Sequence, residues 1–184
     1  MRNYRAPLRA LFAGAAFAVS TVVPTGSPLS SRSPAIVLRP SGVGAVLFGS
    51  AQPVASRSLR DLLGPGEGPT PLPGDSRCGV DAIATWPHIQ VFFFKNQFVG
   101  YNTGYSKKPL AGFITDRGLR VGDTVATARK LYGHRFVVSA AQGGSWHTGP
   151  GSVYGYLVNP PAFGPADRIA GVAAGRVGCP AMTP

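Results

Sequence analysis

The sequence predicts an α+β protein of two tandem units, each a helix followed by antiparallel sheet, with the helices packed on one face of the sheet. Two helix segments, strand-like sequence after each, and abundant glycine (25) and proline (18) between them support this fold. Gly49 and Gly122, which precede the two helix segments, lie 73 residues apart. This spacing indicates duplication of a supersecondary unit, and the units are expected at 38–112 and 113–180.

The second helix segment is TDRGLRVGDTVATARKLYG, residues 115–133. Asp123 or Thr124 can accept hydrogen bonds from the first free helical N–H groups, and Gly133 permits a left-handed C-cap. A helix is therefore predicted over 124–132. Its helical spacing puts four residues on one buried stripe: Val121, Val125, Ala128 and Tyr132.

The first helix segment lies within 38–64 and follows the same pattern. Ser50 is a candidate N-cap, Pro53 is tolerated in the first turn, and Gly64-Pro65 ends the helix. The expected buried stripe is Ala55, Leu59, Leu62 and Leu63.

Strand-like sequence follows each helix segment. After the first, 83–105 contains two apolar runs around Asn96-Gln97, which predicts a hairpin. After the second, three successive strands are predicted at 135–142, 152–159 and 168–175.

A two-residue turn at Asn96-Gln97 would decide which hairpin side chains share a face. Phe92, Phe94 and Tyr101 would lie on one face, with Val91 and Phe93 on the other. Both faces are then apolar, so one covers the helices and the other is a second core or an exposed aromatic platform. A slip of one residue would exchange the faces.

The N-terminal sequence predicts export. Arg2, Arg5 and Arg9 precede an apolar stretch at 10–23, followed by small and turn-forming residues, as in a secretory signal peptide. The stretch falls short of the roughly 20 residues that span a bilayer, although an uncleaved signal anchor is an alternative. Residues 1–33 are thus expected to be signal peptide and short linker, and the protein to be secreted or in the cell envelope, with no stable membrane span after cleavage.

Two cysteines remain after cleavage, Cys78 and Cys179. One pair in an oxidising compartment predicts a disulfide bond between them. The alternative is a reactive thiol, but neither cysteine lies in C-x-x-C or beside a histidine.

The net charge is +11, and cleavage near residue 33 leaves 14 basic and seven acidic residues, a net charge of +7. Such a charge attracts cell-wall polymers, lipid headgroups or an acidic protein, but it also simply favours solubility. The basic residues are scattered and no nucleic-acid motif occurs, so nucleic acid is not expected as a partner.

The catalytic candidates are Ser145 and His147 in GGSWHTG. They share a strand face, but the sequence is not the G-x-S-x-G elbow, and a polar hairpin loop explains it more simply. His88, His134 and His147 are too widely spaced to predict a metal site, and no P-loop or dinucleotide motif predicts a cofactor.

Several motifs together resemble a known family. LRPSGVGAVLFG, LLGPG, CG, W..IQVFF, T.RGLRVGDT.A..RKLYG and RIAGVAAGRVGC follow one another through most of 38–179. This pattern resembles a family of uncharacterised secreted actinobacterial proteins. The tandem organisation is also similar to the fold of the beta-lactamase inhibitor protein and of outer-membrane assembly lipoproteins. This second resemblance implies the tandem fold, and no inhibitory residue is carried over from it.

The sequence therefore favours an exported, non-catalytic binding protein whose partner is a protein or a cell-envelope component. Aromatic side chains supply much contact area with little loss of entropy. The binding residues are expected among the aromatic residues of the predicted strands and hairpins: Phe92, Phe94, Tyr101, Trp146, Tyr154 and Tyr156. The alternatives are an envelope-associated hydrolase that uses Ser145 and His147, and a secreted protein resembling an enzyme inhibitor.

Overall fold

The computed structural model describes residues 35–72, 79–139, 144–158 and 164–177. These residues form two helices and twelve strands in two sheets. The predicted signal peptide at 1–33 and the predicted Cys78–Cys179 bridge lie outside the described residues.

Eight strands form one antiparallel sheet. Most are rich in β-branched and aromatic residues, which suit a pleated surface. From edge to edge the strands are β4 (Glu67–Pro71), β5 (Ala82–Trp86), β6 (Ile89–Phe94), β7 (Gln97–Asn102), β12 (Ile169–Gly175), β11 (Tyr154–Leu157), β10 (Ser145–His147) and β9 (Val137–Ser139).

Four short strands form a second sheet. In spatial order they are β3 (Val46–Leu47), β2 (Gly42–Val43), β1 (Ile36–Arg39) and β8 (Phe113–Thr115). The β1 and β8 strands run parallel, with Val37 opposite Ile114. This pairing joins the start of the described chain to the segment just before the second helix.

The second helix matches its prediction closely. It spans α2 (Val125–Tyr132), and the Thr124 side chain accepts from the Thr127 N–H at 3.1 Å. Thr124 is therefore the capping residue of the two candidates, while Asp123 accepts from the Arg120 N–H. Gly133 follows as the C-cap with the predicted positive φ of 60°, but its ψ of −137° lies outside the left-handed helical region, so the predicted left-handed C-cap was wrong in this respect. All four residues of the predicted stripe are buried.

The first helix, α1 (Gln52–Leu63), has the predicted extent but not the predicted cap. Ala51 is the N-cap and provides no side-chain bond, so the assignment of this role to Ser50 was wrong. Pro53 lies in the first turn and Gly64 follows the last. Ala55 and Leu59 are buried, whereas Leu62 is 40% exposed.

The helices and the four-stranded sheet cover one side of the large sheet, which we call the inner face. The Trp86 Nε1–H donates to the carbonyl of Gly64 at the end of α1, at 3.0 Å. The rings of Phe48 and Phe98 meet edge to face with centroids 5.0 Å apart. The main core lies here and includes, from the large sheet, Ala84, Trp86, Ile89, Val91, Phe93, Phe98, Tyr101, Trp146, Leu157 and Val172.

The predicted fold class, two helix-plus-sheet units, was wrong. The structure is mostly β, and the strands that follow the two helices join through β7 and β12 into one sheet. A second sheet then pairs β1 with β8. Sequence periodicity reports which face of an element is buried, but not which distant strand pairs with it. The short strands around Gly42 and Val46 fell within the 38–64 segment that was assigned to the first helix.

The predicted register of the hairpin was also wrong, by one residue. The turn is Lys95-Asn96, whose φ angles of 48° and 60° are those of a type I′ turn, and Phe94 pairs with Gln97. A bulge follows in β7, so that Val91 lies opposite Tyr101. Tyr101 therefore shares the inner face with Val91 and Phe93 and is separated from Phe92 and Phe94.

The three later strands lie within their predicted ranges, as β9, β11 and β12. The β10 strand was missed, because Gly143-Gly144-Ser145 was interpreted as a loop. Trp146 is 1% exposed at the middle of this strand, where its ring stacks on Phe136 at a centroid distance of 5.5 Å.

Candidate functional site

The opposite side of the large sheet, which we call the outer face, is covered by no helix or sheet among the described residues. One row of directly opposed residues crosses all eight strands on this face. In order across the sheet, the row is Glu67, Thr85, Gln90, Asn102, Ala173, Tyr154, His147 and Val137.

Aromatic side chains of the outer face lie on two strands, β6 and β11. Phe92 and Phe94 belong to β6, and Tyr154 and Tyr156 belong to β11. Phe92 is 6% exposed, and the other three are partly exposed. Phe92 is buried but is not a member of the inner-face core, as its position on the other side of the sheet requires.

The two strands between these aromatic residues carry smaller side chains on the outer face. Gly171 lies opposite Tyr156, and Ala173 lies between Asn102 and Tyr154. A Cβ at Gly171 would collide with the carbonyl oxygen of Gly104, so the backbone itself occupies this position. The result is a shallow trough floored by β7 and β12, with Phe92 and Phe94 on β6 at one side, its phenylalanine wall, and Tyr154 and Tyr156 on β11 at the other, its tyrosine wall. The two aromatic pairs are staggered along the strands, because Gln90 and not a phenylalanine shares a row with Tyr154. The floor is closed at Ala173, which is fully buried. The width of the trough is about 14 Å, three strand spacings of roughly 4.8 Å.

A hydrogen bond to the neighbouring strand holds the Tyr154 side chain in place. The Tyr154 hydroxyl donates to the carbonyl of Gly175 at 3.2 Å, across the β11–β12 pair. Burial, and to a lesser extent the nearby Tyr156, raises the pKa of Tyr154 to about 12. Tyr154 is therefore neutral at physiological pH and presents the edge and face of its ring.

The phenylalanine wall has a basic rim. The guanidinium carbon of Arg176 lies 5.8 Å from the Phe94 ring centroid, and the Nζ of Lys95 lies 5.4 Å from the same centroid. Both distances suit cation–π contacts. An aromatic surface edged by positive charge favours a partner with acidic groups at its rim.

Two of the six predicted binding residues lie on the inner face instead. Tyr101 is fully buried, and its hydroxyl donates to the carbonyl of Arg39 at 3.0 Å. Burial raises the pKa of Tyr101. The Trp146 Nε1–H donates to the carbonyl of Tyr156 at 3.2 Å. The structure thus brings Phe92, Phe94, Tyr154 and Tyr156 to the outer face and places Tyr101 and Trp146 in the core.

The sequence argument missed the polar residues of this surface. Thr85, Gln90 and Asn102 are partly exposed and lie side by side in the row. The pattern that could have located these polar residues is the alternation of buried and half-exposed positions along β5, which continues in register into β6. Asn102 is engaged in part, because its Oδ1 accepts from the Gly104 N–H at 2.8 Å.

The catalytic candidates Ser145 and His147 both lie on the outer face, opposite Tyr156 and Tyr154. Their Cα atoms are about 6.7 Å apart, two strand residues at roughly 3.3 Å each. The row contains one carboxylate, Glu67, which is six strands from His147. That separation is about 29 Å at roughly 4.8 Å per strand, so Glu67 does not orient this imidazole.

Neither a cluster of metal-ligating side chains nor a membrane-spanning helix occurs in the described residues. In those residues no group of three or more His, Cys, Asp or Glu side chains is placed to hold a metal ion. No helix of the described chain has the length and apolar character needed to cross a bilayer.

The sequence and the fold were compared with protein-family models, curated proteins and solved structures, and none of the three comparisons found a match. The resemblances drawn from sequence motifs therefore remain predictions.

Proposed function

We propose that this chain is an exported, non-catalytic binding protein whose outer face contacts a protein partner in the cell envelope or outside the cell. The single observation that carries the proposal is the trough between Phe92 and Phe94 on one side and Tyr154 and Tyr156 on the other. Export rests on the N-terminal sequence pattern, and binding rests on the geometry of this surface.

The chemistry of the trough is that of a recognition surface. Its aromatic side chains offer large contact area with few rotatable bonds, and Asn102 between them, with Gln90 and Thr85 beside the phenylalanines, offers adaptable hydrogen bonds. The bordering strands are about 14 Å apart from backbone to backbone and their rings occupy part of that width, so an extended segment or loop of a partner fits the surface better than a helix does. Tyrosines at such a position commonly dominate binding energy.

The experiment has two stages. The exported protein, carrying an affinity tag, is first used to capture partners from culture supernatant and cell-wall extract. The captured partner is then titrated against Tyr156→Ala and Phe94→Ala, which each remove one aromatic ring from one wall of the trough. Val54→Ala is the control, because Val54 is 61% exposed and lies on α1, on the opposite side of the large sheet.

We expect each wall variant to weaken binding by tenfold or more, the effect of losing an interface hot spot of about 1.4 kcal/mol or more. The control should bind as the parent does. If both wall variants bind as tightly as the parent, and far-UV circular dichroism shows that each is folded, the outer face is refuted as the binding surface. A captured enzyme whose activity falls on binding would identify the partner class and favour the inhibitor alternative.

The hydrolase alternative is supported by one observation, the shared face of Ser145 and His147. It predicts turnover of an activated ester that is lost in Ser145→Ala and retained in Tyr156→Ala. The binding proposal predicts the reverse pattern: Ser145→Ala binds the partner normally, and ester turnover is the same in the parent and in Ser145→Ala.

A further inference from the structure

A polar cavity of about 150 Å³ lies at the end of α2. Three segments meet there: the turn after β8, the short 3₁₀ helix Gly133–Arg135, and the loop between β10 and β11. We call it the arginine pocket, and the side chains that matter are Asp116, Arg117, Tyr132, Arg135, Thr148 and Ser152. A second, wider cavity of about 420 Å³ adjoins it, sharing Arg135, Thr148 and Ser152, and is also lined by Val137 and His147 of the outer-face row.

The pocket carries two guanidinium groups. The Arg117 guanidinium carbon lies 5.7 Å from the centroid of the Tyr132 ring. The Tyr132 hydroxyl in turn donates to the buried Thr115 Oγ1 at 2.8 Å. Arg117 is exposed, and its contact with this anchored ring restricts the orientation of its guanidinium plane. Guanidinium groups bind carboxylates through two parallel N–H donors, and a fixed plane lowers the entropy cost of that contact.

The hydroxyl groups of the pocket act as acceptors toward a ligand. Thr148 is 4% exposed and its hydroxyl donates to the carbonyl of Val153 at 3.0 Å. Since a hydroxyl has one proton, the 2.6 Å contact between Thr148 and Ser152 must use the proton of Ser152. Ser152 therefore keeps only lone pairs for a bound molecule. The carboxylate of Asp116 adds further acceptor oxygens on the same pocket.

We propose that the arginine pocket binds a small molecule that carries a carboxylate together with an ammonium or hydroxyl group, as amino acids and hydroxy acids do. Arg117 and Arg135 receive the carboxylate, and Asp116 and Ser152 accept from the donor group. The volume is below the roughly 300–1,000 Å³ of pockets for drug-sized ligands, so the occupant is a small molecule. Asp116 disfavours dianions such as phosphate. This site is independent of the outer-face proposal, and either can fail alone.

The test is a titration of the exported protein, labelled with ¹⁵N, at constant pH and ionic strength. The probes are glycine and lactate, which carry both groups, and acetate, N-acetylglycine and inorganic phosphate, which lack the pairing. We expect glycine and lactate to shift the Arg side-chain Nε–H signals and the backbone amides of Thr148 and Ser152. The other three probes should bind at least tenfold more weakly.

Variants then assign the groups. Arg135→Gln should weaken glycine binding by tenfold or more, whereas Arg57→Gln, the same change of charge on the exposed side of α1, should leave it unchanged. Asp116→Asn should reduce the preference for glycine over acetate.

Three results would overturn the proposal. The first is shift changes scattered over the basic surface, as for non-specific anions. The second is binding of phosphate or N-acetylglycine as strong as that of glycine. The third is equal glycine affinity of Arg135→Gln and Arg57→Gln, with the native spectrum retained in both variants.

Discussion

Replacing Tyr101 with phenylalanine should change both the stability of the protein and the way that stability depends on pH. The side chain is fully buried, and its hydroxyl donates to the Arg39 carbonyl at 3.0 Å, which ties the large sheet to the small one. Tyr101→Phe keeps the ring and leaves the carbonyl without this partner. The expected cost near pH 8 is about 1–3 kcal/mol of unfolding free energy.

The same burial gives this difference a pH dependence of known sign. Burial raises the pKa of Tyr101 above its ordinary value of 10.0, so the folded protein keeps the phenolic proton at a pH where the unfolded chain releases it. The stabilisation is therefore complete below pH 10 and is lost as the pH rises above it, by about 1.4 kcal/mol per unit. The phenylalanine variant lacks this loss, so an initial advantage of about 1.4 kcal/mol for the parent disappears near pH 11.

The assay is urea unfolding of parent and variant at intervals from pH 8 to pH 11.5, followed by tryptophan fluorescence. Tyr132 and Tyr154 also have raised pKa values, but they titrate in both proteins and cancel in the difference. A difference that stays constant over this range would refute the argument that Tyr101 is buried and neutral. A difference of zero at pH 8 would refute the contribution of its hydrogen bond.

Three further predictions concern the backbone. Gly133→Val should lower the unfolding free energy by about 1–2 kcal/mol, because a β-branched residue is strained at a φ of 60°, and an unchanged melting temperature would contradict this. Thr124→Ala should cost about 1 kcal/mol in urea unfolding through loss of the helix cap at the Thr127 N–H, whereas Thr124→Ser should retain most of the stability. Gly171→Ala should destabilise β12 by about 1–3 kcal/mol because its Cβ meets the Gly104 carbonyl; a melting temperature equal to the parent's would show that the strand has room to move.

The helices were predictable because their signals are local. Thr124, Gly133 and the spacing of Val125, Ala128 and Tyr132 all lie within three turns of one another, and each does what its residue type favours. The outer face of the sheet was half predictable. Tyr154 and Tyr156 alternate with buried neighbours along one strand, which fixes their common face without knowledge of the fold.

The rest depended on pairings between distant residues. The turn lies at Lys95-Asn96, one residue before its predicted place, but this change alone would have kept Tyr101 on the face of Phe92. The bulge that follows in β7 carried Tyr101 from the expected surface to the core. The pairing of β1 with β8 joins residues 77 positions apart, such as Val37 and Ile114, and no local sequence pattern predicts it. The arginine pocket is likewise assembled from segments that are remote in sequence, and it was not anticipated.

The pairing of β7 with β12 also has a consequence for the newly made chain. β7 ends at Asn102 and β12 ends at Gly175, so 73 further residues must enter the compartment where the chain folds before the second strand can pair with the first. Throughout that interval β7 is an open edge with unpaired N–H and C=O groups, flanked by the apolar β6. An edge of this kind pairs readily with the same strand of a neighbouring molecule. The nascent protein therefore has a defined period in which a chaperone that shields this one edge would protect it most from aggregation.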